Sequence, residues 1–159
     1  MRRAHTLLRL PIVSLADGLR IGEVRDVVFD CEGHRIAALI AQEAGWLRET
    51  RVVPLDRVRS LGRNAVTVYD RQAIVPASAV KAIKRLLHNG VLLCGLPVLT
   101  EGGNDLGTIE EVFIGPDGTM LGYEISAGIV QDTLHGKRFI PAAETLRAGP
   151  DCLIVPDHV

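Results

Sequence analysis

Reactive side chains are scarce in this chain of 159 residues. It has three cysteines, two methionines, three phenylalanines, two tyrosines and a single tryptophan. Cys31, Cys94 and Cys152 are odd in number and lack metal-ligand spacing, which argues against a disulfide framework. So few aromatics leave little surface on which bases can stack. Apolar runs such as Ile36 to Ala41 fall far short of the roughly 20 residues that cross a membrane as a helix. Met1-Arg2-Arg3 leads into no signal-peptide apolar segment, so the cytoplasm is the expected compartment. There is no phosphate-cradling glycine loop and no nucleophile constellation, and no cofactor is expected.

Charge is balanced overall but not along the chain. The formal net charge is −1, yet residues 1–89 carry fifteen Lys/Arg against nine Asp/Glu, and residues 90–159 carry three against ten. Such polarity either steers an acidic partner to the first half or lets the halves attract each other, within a molecule or between copies.

What the chain does have is an internal repeat. Leu10-Pro11-Ile12-Val13 returns as Leu96-Pro97-Val98-Leu99. Gly22 then answers to Gly107, Val27 to Val112, Gly33 to Gly118, Ile40 to Ile125, Pro54 to Pro141, Gly62 to Gly149 and Val68 to Val155. A period of this length exceeds a solenoid unit and suits a small domain with its own core.

Each repeat reads as short strands broken by turn residues, the pattern of an antiparallel barrel or sandwich. In the first, strands are expected near 10–14, 21–30, 35–43, 50–55 and 65–69. The apolar residues of 21–30 do not alternate strictly, which predicts a bulge at Arg25-Asp26. Glu32-Gly33 and Asp117-Gly118 predict hairpin turns in which glycine supplies the positive φ. Between the repeats, Val80, Ile83, Leu86 and Leu87 share one face of an amphipathic helix, with Pro76 at its start and Gly90 at its exit. The expected organisation is a first unit over 1–73, a connecting helix over 74–90 and a second unit over 91–159.

Leu-Pro-Val, then Gly-x-(Val/Ile)-x-(Asp/Glu)-Val, a glycine turn and a strand ending near (Val/Ile)-Pro together resemble the PRC-barrel family. The second copy carries this pattern through Gly95-Leu96-Pro97-Val98, Leu106-Gly107-Thr108-Ile109-Glu110-Glu111-Val112 and Gly122-Tyr123-Glu124-Ile125-Ser126. The first carries it through Ile21-Gly22-Glu23-Val24-Arg25-Asp26-Val27 and Arg51-Val52-Val53-Pro54. The resemblance implies an all-β chain of two small antiparallel barrels in tandem, joined by one amphipathic helix. The family includes the cytoplasmic part of the photosynthetic reaction-centre H subunit, a ribosome maturation factor domain and stand-alone bacterial proteins. These roles share binding rather than catalysis. Without the membrane helix of the first or the separate N-terminal domain of the second, the resemblance points to the stand-alone tandem type.

The repeat also sorts candidate residues. No nucleophile or histidine recurs in it. Asp26 recurs as Glu111 and Glu32 as Asp117, but carboxylates in separate units have no reason to meet as an acid/base pair. Cys31-x-x-His34 has ligand types at tight spacing, yet Asp30 and Glu32 complete a four-ligand zinc site poorly, and no metal site is expected. His88 suits the last turn of the helix, where the dipole favours a positive group.

Two sets of residues fit binding. Trp46 and Leu47 in the first long hairpin, and Ile129, Val130 and Leu134 in the second, put large apolar side chains at tips that should be polar; they either plug their own barrel or the seam between the two, or are the contacts to a protein partner or a second copy. Arg48, Arg51, Arg57, Arg59 and Arg63, together with Arg2, Arg3 and Arg9, form the alternative, a stripe for RNA or another acidic partner, since the arginine fork suits phosphate; the same residues also fit a solvated face or a contact with the acidic second unit. The expected function is a non-catalytic adaptor or interaction protein, with a ribosome- or RNA-linked accessory factor as the alternative.

Overall fold

Proline stands first in the opening strand of each repeat, a position where its missing N–H breaks no ladder. The computed structural model describes residues 1–42, 48–90, 92–127 and 136–159. In it β1 (Arg2–Arg3) precedes the first repeat, which runs β2 (Pro11–Ser14), β3 (Arg20–Glu23), β4 (Asp26–Asp30), β5 (Arg35–Gln42), β6 (Arg51–Pro54), β7 (Val58–Leu61), β8 (Val66–Val68) and β9 (Val75–Pro76). The helix α1 (Lys81–Asn89) follows. The second repeat then runs β10 (Pro97–Thr100), β11 (Asp105–Ile114), β12 (Met120–Ser126), β13 (Arg138–Pro141), β14 (Arg147–Ala148) and β15 (Leu153–Val155). Among the described residues, apart from α1 and short 3-10 turns, the regular structure is β, as the sequence pattern requires.

Pairing repeats along with the sequence. β2 lies antiparallel to β3 and parallel to β8, and β10 lies antiparallel to β11 and parallel to β15. The second repeat orders its strands β13-β12-β11-β10-β15-β14, with β1 added to β11. In the first repeat the corresponding path is cut into two sheets, β3-β2-β8-β7 and β4-β5-β6-β9. Among the described strands, none of these sheets closes into a hydrogen-bonded ring.

The cut is the predicted irregularity, displaced by one residue. The strand expected over 21–30 breaks at Val24-Arg25 instead of bulging at Arg25-Asp26. In the second repeat the same place is a register shift between Ile109 and Glu111 inside the continuous β11. Packing accounts for the break: Val24 belongs to the main core, whereas Val28 belongs to a second apolar cluster under the helix. The chain must therefore change faces between them.

Two further expectations are corrected at the hairpins. The left-handed residue of the first turn is His34 (φ 50°), not Gly33, and its counterpart is Gly118 (φ 84°). Gly33 donates its N–H to Asp30 Oδ1 at 3.0 Å. Phe29 faces Ile36 as Ile114 faces Met120, so the second hairpin is one residue shorter and Ile40 corresponds to Glu124 rather than Ile125. Alignment by residue class could not see the deletion, because a glycine and an isoleucine lie one position away on either side of it.

The same tips join the repeats. Arg35 and Thr119 form an antiparallel bridge. Ile36 N–H donates to the Gly118 carbonyl and Met120 N–H to the His34 carbonyl, each at 2.8 Å. Ile36 matches Met120 and His34 matches Gly118, so the two bonds are one interaction made twice about a pseudo-two-fold axis. Where a core per repeat was expected, Ile12, Leu39 and Val66 of the first repeat share a single buried cluster with Val98, Tyr123 and Leu153 of the second.

The helix packs as its periodicity predicts. Ile83, with Val80, Leu86 and Leu87, lies against Val28, Ala38, Ile40 and Val52 on the sheet of β4 to β6. Gly90 adopts the left-handed exit (φ 61°) and returns its N–H to the Leu86 carbonyl. The start differs: Pro76 ends β9 and a 3-10 turn, Ala77–Ala79, intervenes before Lys81.

Candidate interaction site

The break after β3 opens a place that the second repeat keeps shut. There the ladder continues through Thr108↔Ser126 and Ile109↔Ile125. In the first repeat β3 is an edge strand that pairs with β2 and with no other described strand. Between β3 and the end of β5 lies a groove of about 890 Å³, lined by Arg9, Arg20, Arg25 and Arg48 with Glu23 and Gln42. It continues into a hollow of about 390 Å³ that shares Arg20, Ile21, Ala41 and Gln42 and adds Arg51, Arg71 and Ile74. Six arginines therefore converge on one depression with a single carboxylate among its described lining residues.

Backbone geometry places them. Arg9 is held left-handed (φ 69°) with its N–H on the Val24 carbonyl at 2.8 Å. The corresponding residue is Gly95 (φ 88°), whose N–H meets the Ile109 carbonyl at 2.7 Å. A side chain in this region costs about 1 kcal/mol that glycine avoids, so an arginine here is a local strain that packing alone does not require. Glu23 partly occupies two of its neighbours, Arg20 at 3.2 Å and Arg25 at 3.8 Å. Arg51 donates to the Ile74 carbonyl at 3.1 Å. Arg9, Arg48 and Arg71 make no ion pair with a described residue.

At matching positions the two repeats carry opposite charge. Val13 faces Arg20 in the register in which Leu99 faces Asp105. Arg25 stands at the strand break where Glu110 stands at the bulge. The second repeat neutralises its acids internally: Lys137 reaches Glu110 at 2.7 Å and Glu124 at 3.1 Å, and these two bonds raise its pKa. Arg3 adds both its terminal nitrogens to Glu124 at 3.3 Å and lies over the Phe113 ring at 5.2 Å. Contact between the halves thus offsets charge at Arg3 and Glu124 but not in the groove, whose arginines form no ion pair with a described acid of the second repeat.

Of the arginine stripe expected from sequence, Arg9, Arg48 and Arg51 reach this groove. Arg57 instead donates to the Gln72 carbonyl at 3.1 Å, and Arg59 and Arg63 are exposed outside it. Sequence reasoning missed Arg20, Arg25 and Arg71, which are interspersed with Glu23, Asp26 and Asp70 and form no run; the legible signal was the reversal of Arg20 to Asp105 between the repeats. Trp46, Leu47, Ile129, Val130 and Leu134, the expected apolar contacts, lie outside the described residues.

The recurring carboxylates have backbone work. Asp26 accepts from the Val27 N–H at 2.8 Å, and Glu111 accepts from the Val112 N–H at 2.9 Å. Glu111, 5% exposed, also accepts from the His5 N–H at 3.4 Å and contacts His5 Nδ1. Asp117 caps its turn through the Thr119 N–H and hydroxyl, which hold its carboxyl below the usual range. Burial, with Asp30 and Glu32 beside it, pushes the Cys31 thiol up to about 11, and burial with Glu111 and Asp26 nearby raises Cys94. Both are poor nucleophiles at neutral pH. Among the described residues no group of three or more His, Cys, Asp and Glu is placed to hold a metal.

A model of the PRC-barrel domain matches residues 1–78 and 90–158. No curated protein matches the chain.

Proposed function

The chain belongs to the PRC-barrel domain family over both repeats, and on that premise we propose that it is a non-catalytic interaction module whose docking face is the arginine groove of the first repeat. The observation that carries this reading is the convergence of six arginines, three of them without an ion pair to any described residue, on one open depression. Paired arginine and carboxylate are shorter and stronger contacts than neutral hydrogen bonds, and several arginines on one depression can meet several carboxylates together. The partner we assign is an acidic protein surface met in the cytoplasm; no described helix is long and apolar enough to cross a membrane. Trp46 and Leu47 join the proposal by chain position alone, because Gln42 and Arg48 on either side of residues 43–47 both line the groove. A ribosome- or RNA-linked role is the second reading, since phosphate is also an arginine ligand. The chain has only three phenylalanines, two tyrosines and one tryptophan, little surface on which to stack bases, which favours the protein.

Fluorescence polarisation with labelled octaglutamate tests it. Binding should weaken by more than about tenfold between 50 and 300 mM salt, and Arg20→Glu with Arg71→Glu should abolish it without lowering the melting temperature. Octaglutamate bound equally by the double variant, or not at all by the parent at low salt, would refute the groove as the docking face.

A further inference from the structure

We propose that the hollow between β4 and the end of α1 is a second docking site, which takes a basic, partly apolar segment of a protein partner. It shares no described lining residue with the arginine groove and does not depend on it.

The internal repeat shows what such a place holds. On the second repeat β1 lies along β11, with Arg2 facing Ile114 and Arg3 facing Phe113. That segment is basic and meets acids of the strands beneath it. Arg3 pairs with Glu124 at 3.3 Å, and the His5 N–H donates to Glu111 at 3.4 Å. In the first repeat Val28 and Phe29 match Phe113 and Ile114, and Asp26 matches Glu111. There β4 is an edge strand, paired among the described strands with β5 alone. His88 and Asn89 precede Leu96 by the same distance as Arg2 and Arg3 precede Leu10. They end α1 and form no ladder with β4.

Beside β4 lies a hollow of about 510 Å³, within the range of roughly 300 to 1,000 Å³ typical of ligand pockets. Phe29, Leu86 and Leu92 give it apolar walls, and Leu92 is 75% exposed. Asp26, Asp30 and Glu32 line it too, against one cation among the described lining residues, Arg85. Asp26 and Asp30 each accept a backbone N–H, from Val27 and Gly33. None of the three acids makes an ion pair with a described residue. Three carboxylates around an apolar floor repel phosphate and acidic peptides, and they complement a segment whose arginines or lysines flank apolar side chains. The chain's own covering segment on the twin strand has that chemistry. A second copy offering its Arg2–His5 segment is a poorer occupant, because Glu124 and Glu111 already hold it on β11.

The test is fluorescence polarisation of the whole chain with a labelled octapeptide of alternating arginine and valine, beside one of alternating arginine and serine. The two carry the same charge, and only the first has apolar side chains to bury. The valine peptide should bind at least about tenfold tighter than the serine peptide. Asp26→Asn with Glu32→Gln should weaken it at least about tenfold, whereas Asp56→Asn with Glu101→Gln, the same charge change at exposed acids outside the hollow, should leave it unchanged. Binding should slow amide exchange in Asp26–Asp30 and not in Arg138–Pro141. Equal affinity for the two peptides, equal loss in the two double variants, or no binding at about 50 mM salt overturns the site. Asp26→Asn with Glu32→Gln should not weaken octaglutamate binding, so failure here is told apart from failure of the arginine groove. A parent dimer in sedimentation that dissociates on Arg2→Ala with Arg3→Ala overturns the foreign partner in favour of a second copy.

Discussion

Arg9 and Gly95 hold the same place in the two repeats, with the same hydrogen bond and the same hand of backbone, and differ only in whether a side chain is present. Glycine is the lower-energy residue at such a position. Arg9→Gly should therefore leave stability unchanged or raise it by up to about 1 kcal/mol in urea unfolding, against the loss expected of a glycine placed in ordinary backbone, and should at the same time weaken octaglutamate binding. A loss of stability would mean that Arg9 is a structural residue. The titrating core gives a second residue-scale expectation. Burial raises Tyr123 to about 12, opposed by a hydrogen bond with Thr145, and raises Cys31 to about 11. Both groups are neutral in the fold and ionise earlier in the unfolded chain, near 10 and 9. Their contribution is fully present below about pH 9 and is lost as pH rises towards 12, because there the unfolded state binds fewer protons. Melting temperature followed from pH 8 to 11 should fall, and Cys31→Ser should flatten the earlier part of that fall.

At the level of elements, β12 and β5 show how one repeat departs from its twin and compensates. Gly122 corresponds to Ala38, each lying across from a proline, Pro141 or Pro54. A methyl at Gly122 would sit 2.3 Å from Phe139 Cζ and 2.4 Å from the Ile140 carbonyl oxygen. In β6 the residue matching Phe139 is Val52, and the smaller side chain leaves room for Ala38. Gly122→Ala should cost about 3 kcal/mol, and adding Phe139→Val should recover part of it; additive losses in a double-mutant cycle would show that the ring is not the obstacle. The helix makes a simpler case. Ile83 is its buried anchor over the β4 to β6 sheet, and Ile83→Ala should cost about 2 to 3 kcal/mol while leaving octaglutamate binding intact.

The whole molecule behaves as one folding unit because the tips of the two repeats exchange paired bonds about a pseudo-two-fold axis and the buried side chains of both form one cluster. β1, which precedes the first repeat, pairs with β11 of the second, and Leu55 of the first packs on Gly118 of the second. Residues 1–89 and 90–159 expressed apart should each lack a cooperative melt, and mixed together they should recover one. A cooperative transition in either half alone would mean that its own core suffices. The same arrangement leaves the groove's charge unspent: among the described residues the cross-repeat contacts of charged groups are Arg3 with Glu124 and His5 with Glu111, and neither involves the groove.

The sequence by itself determined the repeat, the β class, the family pattern and the connecting helix, because these follow from local periodicity, turn residues and the order of apolar runs. It carried the bulge to within one residue, since Val24, Val27, Val28 and Phe29 already break strict alternation. It also carried the opposite charges of the halves and three of the six groove arginines, Arg9, Arg48 and Arg51. Only the tertiary structure decided the rest. Whether a strand edge is paired or open depends on a partner distant in the chain, so the difference between Thr108↔Ser126 and its missing counterpart in the first repeat is invisible in residue types. The gathering of Arg9, Arg20, Arg25, Arg48, Arg51 and Arg71 arises from four separate stretches brought together by pairing of β2 with β3 and of β5 with β6. The merging of two expected cores into one depends on the two hairpin tips meeting, a long-range contact that local pattern does not encode.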